Sequence, residues 1–361
     1  MKTRVYRLES NSSWDTALEV AVEALHRGEL VAFPTETVYG LGGHALDERA
    51  VRKIFAAKGR PADNPLIVHV SDYEDVLPLV SSVPPQLPVL ARHFWPGPLT
   101  VVVPRSLLVP DVTTGGLDSV AIRMPAHPVA LALLTQAKVP VAAPSANRSG
   151  YPSPTEASHV LADLAGQVAV VLDGGPTQVG VESTVLDLTG SVPTILRPGG
   201  VTYEQLTAVL GEVAIDPAAR AREQDGLECG QPVRSPGMKY RHYAPRAEAI
   251  LVEGEPPHIW QTLRDLLSSQ GNVRCGLLVS REGESWLRTT GLPEDVAVLC
   301  LGSRHDPAEF ARCIFSALRA MDERNVDIVL IEGIDDTGLG LAVMNRLRRA
   351  AGGRIVKAKQ G

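Results

Sequence analysis

The segment KGRPADNPLIVH, residues 58–69, places two cations beside a short loop that prolines stiffen. Lys58 falls in the last turn of a predicted helix, where a cation complements the helix dipole. That role does not explain Arg60 and Asn64, which lie outside the helix. A preorganised pair of Lys and Arg suits a polyphosphate or a carboxylate. No GxxxxGK[ST] motif occurs, so a nucleotide bound here would use a site other than a P-loop.

A second polar cluster lies in FPTETVYGLGG, residues 33–43. Thr35, Glu36, Thr37 and Tyr39 supply hydroxyls and one carboxylate directly after an apolar strand-like run. Ligands of open α/β sheets bind at the carboxyl ends of strands, which makes this segment a candidate site. The three glycines that follow predict a loop. A turn rich in capping residues, without a binding role, remains an alternative.

The segment APSANRSGYPSPT, residues 143–155, also follows an apolar run. It places Ser145, Asn147 and Ser149 within five positions, and prolines then stiffen the chain. Small hydroxyl and amide residues in such a loop can present backbone N–H groups to a phosphate. The alternative is a surface loop of unusual composition.

Charged and hydroxyl side chains also occur at the ends of three further strand-like runs. In SVAIRMP, alternation places Ser119, Ala121 and Arg123 on one face. If that face lines a cleft, Arg123 can bind a carboxylate in a bidentate pair, although a surface charge is an equal alternative. GVESTVLDL contributes Ser183 and LRPGG contributes Arg197, and each of these is ordinary by itself.

No pattern in the sequence indicates a covalent nucleophile. There is no GxSxG and no HExxH motif, and histidines 44, 69, 93 and 127 are scattered. The combined residues therefore predict a site of cations, hydroxyls and backbone groups. Such a site suits adenylate or phosphoryl chemistry that is driven by positioning and electrostatics.

The elements that must position these residues alternate between helix and strand over residues 1–210. Ser13 and Asp47 can cap helices that end at Gly28 and Gly59. Apolar runs bounded by prolines are the strand candidates. They are residues 30–33, 66–70, 99–103, 119–124, 139–143, 168–173, 183–188 and 194–197. The pattern predicts an α/β domain with a large, twisted, mixed sheet.

The remaining chain divides into a linker and a second domain. Residues 211–246 are polar and rich in Gly, Pro and Arg, which predicts a long linker. Its second half, RSPGMKYRHYAP, carries many side chains able to hold a ligand. Residues 247–361 alternate between strand and helix, which predicts a smaller Rossmann-like parallel sheet. No GxGxxG motif follows the first of these strands.

Composition limits the class of protein. A chain of 361 residues predicts two domains, and the net charge of −6 argues against general binding to nucleic acid. Cysteines 229, 275, 300 and 313 are widely spaced, so neither structural zinc nor a disulfide framework is indicated. Reduced thiols suggest a cytoplasmic protein. The sequence shows no signal peptide and no run of about 18 apolar residues.

Six segments, in chain order, resemble the YrdC-like threonylcarbamoyl-adenylate synthases: PTETVYGLG, AKGRPADNPLIVH, AIRMP, PSAN, VESTVLDL and LRPG. The KxR…SxN signature of that family is present as Lys58, Arg60, Ser145 and Asn147. SPGMKYRHYAP and the small α/β domain after it resemble the longer, two-domain form. The resemblance covers nearly the whole chain. It implies a YrdC-like catalytic domain over residues 1–210 and a linker over residues 211–246 that closes on the site.

The resemblance also implies an activity. The family condenses L-threonine, bicarbonate or CO2, and ATP to threonylcarbamoyl-AMP and pyrophosphate. Other proteins, the downstream threonylcarbamoyl-transferase partners, then move the threonylcarbamoyl group to tRNA. Mg2+ is expected on the phosphates; no protein ligand is assigned, and Glu182 is only a candidate.

Site residues follow by matching positions to the family motifs. Lys58 and Arg60 are expected to be catalytic. The expected ATP-binding residues are Arg60, Asn64, Ser119, Ser145, Asn147, Ser153, Arg197 and Ser235. The expected threonine-binding residues are Thr37, His69, Arg123, Ala143 through its backbone, and Ser183. Tyr240 and His242 are expected to belong to a lid that excludes water from labile intermediates.

Two alternatives compete with this function. One is an RNA-binding module that uses arginines 148, 222, 234, 241 and 246 for weak contact with tRNA or double-stranded RNA. The acidic net charge argues against it. The other is the YrdC-like segment of hydrogenase-maturation carbamoyltransferases. Those proteins contain acylphosphatase and zinc-finger segments, which this sequence does not show.

Overall fold

The computed structural model describes residues 2–8, 13–220, 243–271, 273–293 and 296–358. These residues form two compact units. Of these residues, 2–8, 13–149 and 153–219 form the first unit, and 150–152, 220, 243–271, 273–293 and 296–358 belong to the second. Across the described ranges, no helix has the length and apolar character needed to cross a membrane.

The described part of the first unit is built on an eleven-stranded sheet. Its strands are β1 (Arg4–Arg7), β2 (Val31–Phe33), β3 (Gly40–His44), β4 (Ile67–His69), β5 (Leu99–Pro104), β6 (Ser119–Arg123), β7 (Val141–Ala142), β8 (Val170–Asp173), β9 (Thr184–Asp187), β10 (Thr194–Arg197) and β11 (Ala214–Ile215). Their order across the sheet is β1-β8-β2-β3-β7-β4-β6-β5-β9-β10-β11. Parallel and antiparallel pairs both occur, so the predicted mixed sheet is confirmed.

The helices of this unit are α1 (Asp15–His26), α2 (Glu48–Lys58), α3 (Gln86–Phe94), α4 (Asp111–Thr114), α5 (Pro128–Ala137), α6 (Ala157–Leu164), α7 (Tyr203–Leu210) and α8 (Pro217–Arg220). A 3₁₀ helix spans Glu74–Leu79. The Asp47 carboxylate caps α2 by accepting from the Arg49 amide at 2.8 Å. At the start of α1 the capping position is Trp14 rather than the predicted Ser13. The Ser13 hydroxyl still accepts from the amide of Asp15, at 3.3 Å.

Helix α2 sets the position of Lys58. Val51, Ile54 and Phe55 form one apolar face of this helix and are all buried in the core. Gly59 ends the helix in the left-handed conformation, with φ of 60°. That conformation is strained for residues with a Cβ and open to glycine. The packed face and the glycine cap together bring the chain out of the helix at Lys58.

The glycines after Tyr39 form strand β3, so the predicted loop at this point is wrong. β3 pairs antiparallel with both β2 and β7. A Cβ on Gly42 would lie 2.8 Å from Cε1 of Phe33 and 2.9 Å from Cγ1 of Val141. Glycine is therefore needed because two large side chains close over the strand. A glycine-rich strand has little intrinsic preference for its conformation, and for this reason the sequence pattern pointed to a loop.

The first unit continues beyond residue 210, where the linker was predicted to start at residue 211. Val213 is buried in the core, and β11 pairs parallel with β10. Helix α8 follows directly. β11 has only two residues, which is too few for a strand period to be visible in the sequence. The remaining linker residues up to 242 lie outside the described part of the chain.

The second unit carries a parallel sheet of five strands in its described residues, as predicted from sequence. The strands are β12 (Glu248–Glu253), β13 (Cys275–Val279), β14 (Ala297–Cys300), β15 (Ile328–Glu332) and β16 (Ile355–Lys357), in the order β14-β13-β15-β12-β16. Its helices are α9 (His258–Ser269), α10 (Arg281–Thr289), α11 (Pro307–Glu323) and α12 (Leu339–Ala351). The strand–helix alternation and parallel register confirm a Rossmann-like arrangement.

Candidate active site

Lys58 joins the two halves of the KxR…SxN pattern. Its side chain is 4% exposed, and its Nζ donates to the carbonyl oxygens of Ser145, at 2.5 Å, and Asn147, at 2.7 Å. The amide of Ser149 donates to the carbonyl of Lys58 at 2.8 Å. Within the loop, the hydroxyl of Ser145 donates to Oδ1 of Asn147 at 2.6 Å. A buried cation therefore organises the loop that follows β7, which goes beyond the helix-dipole role considered from sequence.

Arg60 and Asn64 lie on the loop that leaves α2. The Arg60 guanidinium donates to the carbonyl oxygens of Asn64, at 3.2 Å, and Pro65, at 3.0 Å. These bonds fold the loop back on itself. The Asn64 side chain is 1% exposed, and neither of its amide atoms has a hydrogen-bond partner in the described residues. Leaving a buried side-chain amide without a partner costs about 1–3 kcal/mol, so the Asn64 amide is a candidate to bind a ligand, an ion or water.

Arg123 lies at the end of β6 in a buried polar cluster. Its Nη1 donates to the hydroxyl of Thr37 at 2.9 Å, and its Nε donates to the carbonyl of Gly97 at 3.2 Å. Its Nη2 lies 2.6 Å from Oε1 of Glu36, whose other oxygen accepts from the amide of Ala126 at 3.1 Å. Arg123 and Glu36 are both 4% exposed. The alternative of a surface charge at this strand end is therefore wrong.

His69 lies beside Arg123 in the parallel register of β4 and β6. Burial, and secondly the charge of Arg123, lower the pKa of His69 to about 3. The imidazole is therefore neutral at physiological pH, and its Nδ1 lies 3.2 Å from the carbonyl oxygen of Ile67. The amide of Ala143 donates to that same carbonyl at 2.9 Å. A neutral His69 can exchange hydrogen bonds with a bound ligand without adding charge to the cluster.

Ser183 forms hydrogen bonds with both Thr100 and Arg197. The Ser183 and Thr100 hydroxyl oxygens are 2.8 Å apart. Arg197 donates through Nη2 to the carbonyl of Ser183 at 2.9 Å and to its hydroxyl at 3.2 Å. Thr100 is opposite Arg123 in the antiparallel register of β5 and β6. Sequence reasoning missed Thr100 because a single threonine within an apolar run carries no distinguishing signal.

Ser153 and Glu182 form a further buried pair. The Ser153 hydroxyl donates to Oε1 of Glu182 at 2.5 Å. A Cβ on Gly199 would collide with the carbonyl oxygen of Glu182. The LRPGG segment, residues 196–200, therefore packs directly against the backbone at Glu182. Ser119 lies elsewhere, at the first position of β6 and half-buried. Four residues of strand, about 13 Å, separate it from Arg123.

Sequence reasoning identified Arg123 as a site residue but did not identify Glu36 as its partner. Glu36 was noted as a carboxylate near a strand end, but the 87 positions that separate it from Arg123 hide the pairing. No group of three or more His, Cys, Asp or Glu residues suited to a metal occurs in the described ranges. The predicted residues Ser235, Tyr240 and His242 lie outside those ranges.

The family models and the similar proteins found for this chain point to the same family. The family model Sua5_yciO_yrdC, described as "Telomere recombination", matches residues 23–199, and "Threonylcarbamoyl-AMP synthase, C-terminal domain" matches residues 201–352. A threonylcarbamoyl-AMP synthase of Pyrococcus abyssi is 48% identical over 94% of this chain and 95% of that protein. One of Bacillus subtilis is 45% identical over 96% of both chains.

Solved structures agree with the sequence relatives. The crystal structure of P. abyssi Sua5 complexed with L-threonine has a TM-score of 0.90 and 46% sequence identity to this chain. The match covers 99% of this chain and 100% of that one. High identity, nearly full coverage and the two family models that match this chain lead to one conclusion. The chain belongs to the threonylcarbamoyl-AMP synthase family, in its two-domain form.

Proposed function

We propose that the chain is an L-threonylcarbamoyladenylate synthase whose active site lies in the first unit. It condenses L-threonine, bicarbonate or CO2, and ATP to threonylcarbamoyl-AMP and pyrophosphate. The observation that carries this proposal is the convergence of Lys58 on Ser145 and Asn147, which makes one cationic, hydroxyl-rich site from two distant motifs. The named activity of the relatives and the L-threonine complex of P. abyssi Sua5 support it.

The reaction does not need a nucleophile from the protein. The amine of threonine adds to CO2 and loses a proton, which gives a carbamate. A carbamate oxygen then attacks the α-phosphorus of ATP, and the bond from that phosphorus to the bridging oxygen breaks as pyrophosphate leaves. Buried cations and hydrogen-bond donors then act by orientation and charge stabilisation.

The amino-acid side of the site is assigned to Thr37, His69, Arg123, Ala143 and Ser183. Arg123 is the proposed partner of the threonine carboxylate, since a guanidinium pairs with carboxylates through parallel hydrogen bonds. Glu36 already balances its charge, so the pocket holds a zwitterionic amino acid without excess positive charge. A neutral His69 and the Ser183 hydroxyl are proposed to orient polar groups of threonine.

The nucleotide side is assigned to Lys58 and Arg60, which act on the phosphates, and to Asn64. The other proposed contacts are Ser119, Ser145, Asn147, Ser153, Arg197 and Ser235. The buried Asn64 amide supports a ligand at this point, because its atoms have no partner in the described residues. Tyr240 and His242 are proposed to close over the nucleotide as a lid.

Mg2+ is proposed to accompany ATP. Mg2+ is commonly held by one or two carboxylates, phosphate oxygens and water, so a cluster of protein ligands is not required. Glu182 is the candidate carboxylate, and its hydrogen bond with Ser153, a proposed nucleotide contact, supports this choice. The cation would supply positive charge to the phosphate oxygens.

The product implies partners and a location. Threonylcarbamoyl-AMP is a labile mixed anhydride, so we propose that downstream threonylcarbamoyl-transferase proteins consume it for the modification of tRNA. The cytoplasm is the proposed location, since that is where this tRNA chemistry and reduced thiols are expected. Weak direct contact with tRNA or double-stranded RNA remains a separate prediction.

The test is pyrophosphate release from ATP that requires both L-threonine and bicarbonate. Lys58→Ala and Arg60→Ala should each lower kcat/KM by at least about 100-fold, because each removes a cation that is proposed to act on the phosphates and that orders its loop. Arg52→Ala is the control, since Arg52 lies on the same helix and forms an exposed ion pair with Glu48.

Two results would count against the proposal. Full activity in both Lys58→Ala and Arg60→Ala would refute the site assignment. Salt-dependent binding of tRNA with no pyrophosphate release would favour the RNA-binding alternative.

A further inference from the structure

The short segment Gly150–Pro152 belongs to the second unit, although Ser149 and Ser153 on either side belong to the first. We propose that the second unit holds this segment through Arg319 of α11, and that Arg319 is thereby a positioning residue for ATP. This inference rests on the proposed function, because it assigns the loop of residues 145–153 to the nucleotide side of the site.

Two backbone carbonyls of the segment are bound within the second unit. Nη2 of Arg319 donates to the carbonyl oxygen of Pro152 at 2.6 Å, and Arg319 is 9% exposed. The amide of Ala244 donates to the carbonyl oxygen of Gly150 at 2.9 Å. A hydrogen bond from a buried guanidinium is short and roughly twice as strong as a neutral one. The segment is therefore fixed at both of its ends.

Ala244 is itself held by its neighbour Tyr243. The Tyr243 backbone has φ of 63°, a left-handed conformation that is strained for a residue with a Cβ. Its buried ring lies 5.2 Å from the ring of Phe315 on α11, and the guanidinium of Arg346 on α12 lies 5.6 Å from its centre. Aromatic and cation–π packing offset the backbone strain. Tyr243, the residue before the Ala244 amide that donates to Gly150, therefore packs against both α11 and α12.

The residues that flank the segment are tied to the proposed site. Ser149 donates its amide to the carbonyl of Lys58 at 2.8 Å, and Ser153 donates its hydroxyl to Glu182 at 2.5 Å. Each is joined by a peptide bond to the held segment, so its Cα lies about 3.8 Å from the next. A displacement of Pro152 therefore passes directly to Ser153. A misplacement of about 1 Å can cost about 100-fold in rate.

The experiment compares Arg319→Ala and Arg319→Lys with Arg312→Ala. Arg312 is an exposed residue of the same helix and is the matched control. Hydrogen–deuterium exchange at the amides of residues 148–155 should be about tenfold faster in Arg319→Ala, because one charge-assisted hydrogen bond is lost. KM for ATP should rise about tenfold while KM for threonine stays unchanged. Arg319→Lys should recover part of both effects, since an ammonium can also donate to Pro152.

Exchange and KM for ATP equal to those of Arg312→Ala would overturn the inference. A rise in KM for both ATP and threonine, together with a lower Tm, would indicate that Arg319 has only a general structural role. That result would also overturn the inference. If the wild-type protein releases no pyrophosphate, the proposed function fails by itself. The exchange measurement then still decides whether Arg319 holds the segment.

Discussion

The ion pair between Glu36 and Arg123 offers a sharp test of how the amino-acid side is built. The Glu36→Gln variant keeps the shape of the side chain and an oxygen able to accept from Ala126, but it removes the negative charge. Arg123 is then a buried cation whose 2.6 Å ionic partner is gone. The first unit should become less stable while its fold is retained.

The size of the effect follows from burial. The side chains of Arg123 and Glu36 are 4% and 6% exposed, and removing one partner from a pair this buried costs about 3–5 kcal/mol. The pair of Glu48 and Arg52 is 56% and 67% exposed, and an exposed i,i+4 pair contributes about 0.3–0.5 kcal/mol. Glu48→Gln is therefore a matched control, with the same substitution in the same unit and an expected effect about tenfold smaller.

Stability is measured as the urea dependence of hydrogen exchange in peptides from β5 and β6, which report on the first unit alone. Addition of L-threonine should restore more stability to Glu36→Gln than to wild type, because its carboxylate can replace the lost charge beside Arg123. A loss in Glu36→Gln within about 0.5 kcal/mol of that in Glu48→Gln would refute the reasoning.

Two further predictions concern His69 and Asn64. Because the folded pKa of His69, about 3, lies below its usual 6.5, the unfolded state binds more protons between these values. Stability should therefore fall as pH drops from 6.5 toward 3, by up to about 1.4 kcal/mol per pH unit, and urea midpoints of His69→Gln should show a shallower slope than wild type. Asn64→Leu should raise stability by about 1 kcal/mol while raising KM for ATP, because it removes a buried amide without a partner in the described residues. These expectations would be contradicted if the urea midpoint of His69→Gln depended on pH as steeply as that of wild type. A stability of Asn64→Leu below that of wild type would contradict them as well.

Much of the fold could be predicted from the sequence because its signals are local. Helix α2 was predicted from the Asp47 cap and from Gly59 at its end, and the structure confirms both. The apolar runs that became β4, β5 and β6 were visible for the same reason, since each is a short apolar run beside a proline. Strand β3 was missed because its glycines are explained by Phe33 and Val141, which reach it from other strands.

The same distinction between local signals and contacts from distant residues applies to the candidate site. The sequence by itself determined which residue types are present: one cation in the last turn of α2 and another just after it, hydroxyls after two strands, and an arginine at the end of β6. Side-chain chemistry is a local property, so motif and spacing were enough to propose phosphate and carboxylate ligands. The order of these segments was also enough to indicate the family.

Only the tertiary structure decided which of these residues act together. It paired Arg123 with Glu36 and Thr37, placed His69 beside Arg123, and brought Thr100 to Ser183. It also assigned Gly150–Pro152 to a unit different from that of the residues on either side. The physical reason is that strand register, hydrogen bonds and burial join positions 54 to 167 residues apart. A low pKa at His69 or a buried ion pair then depends on neighbours that spacing along the chain does not reveal.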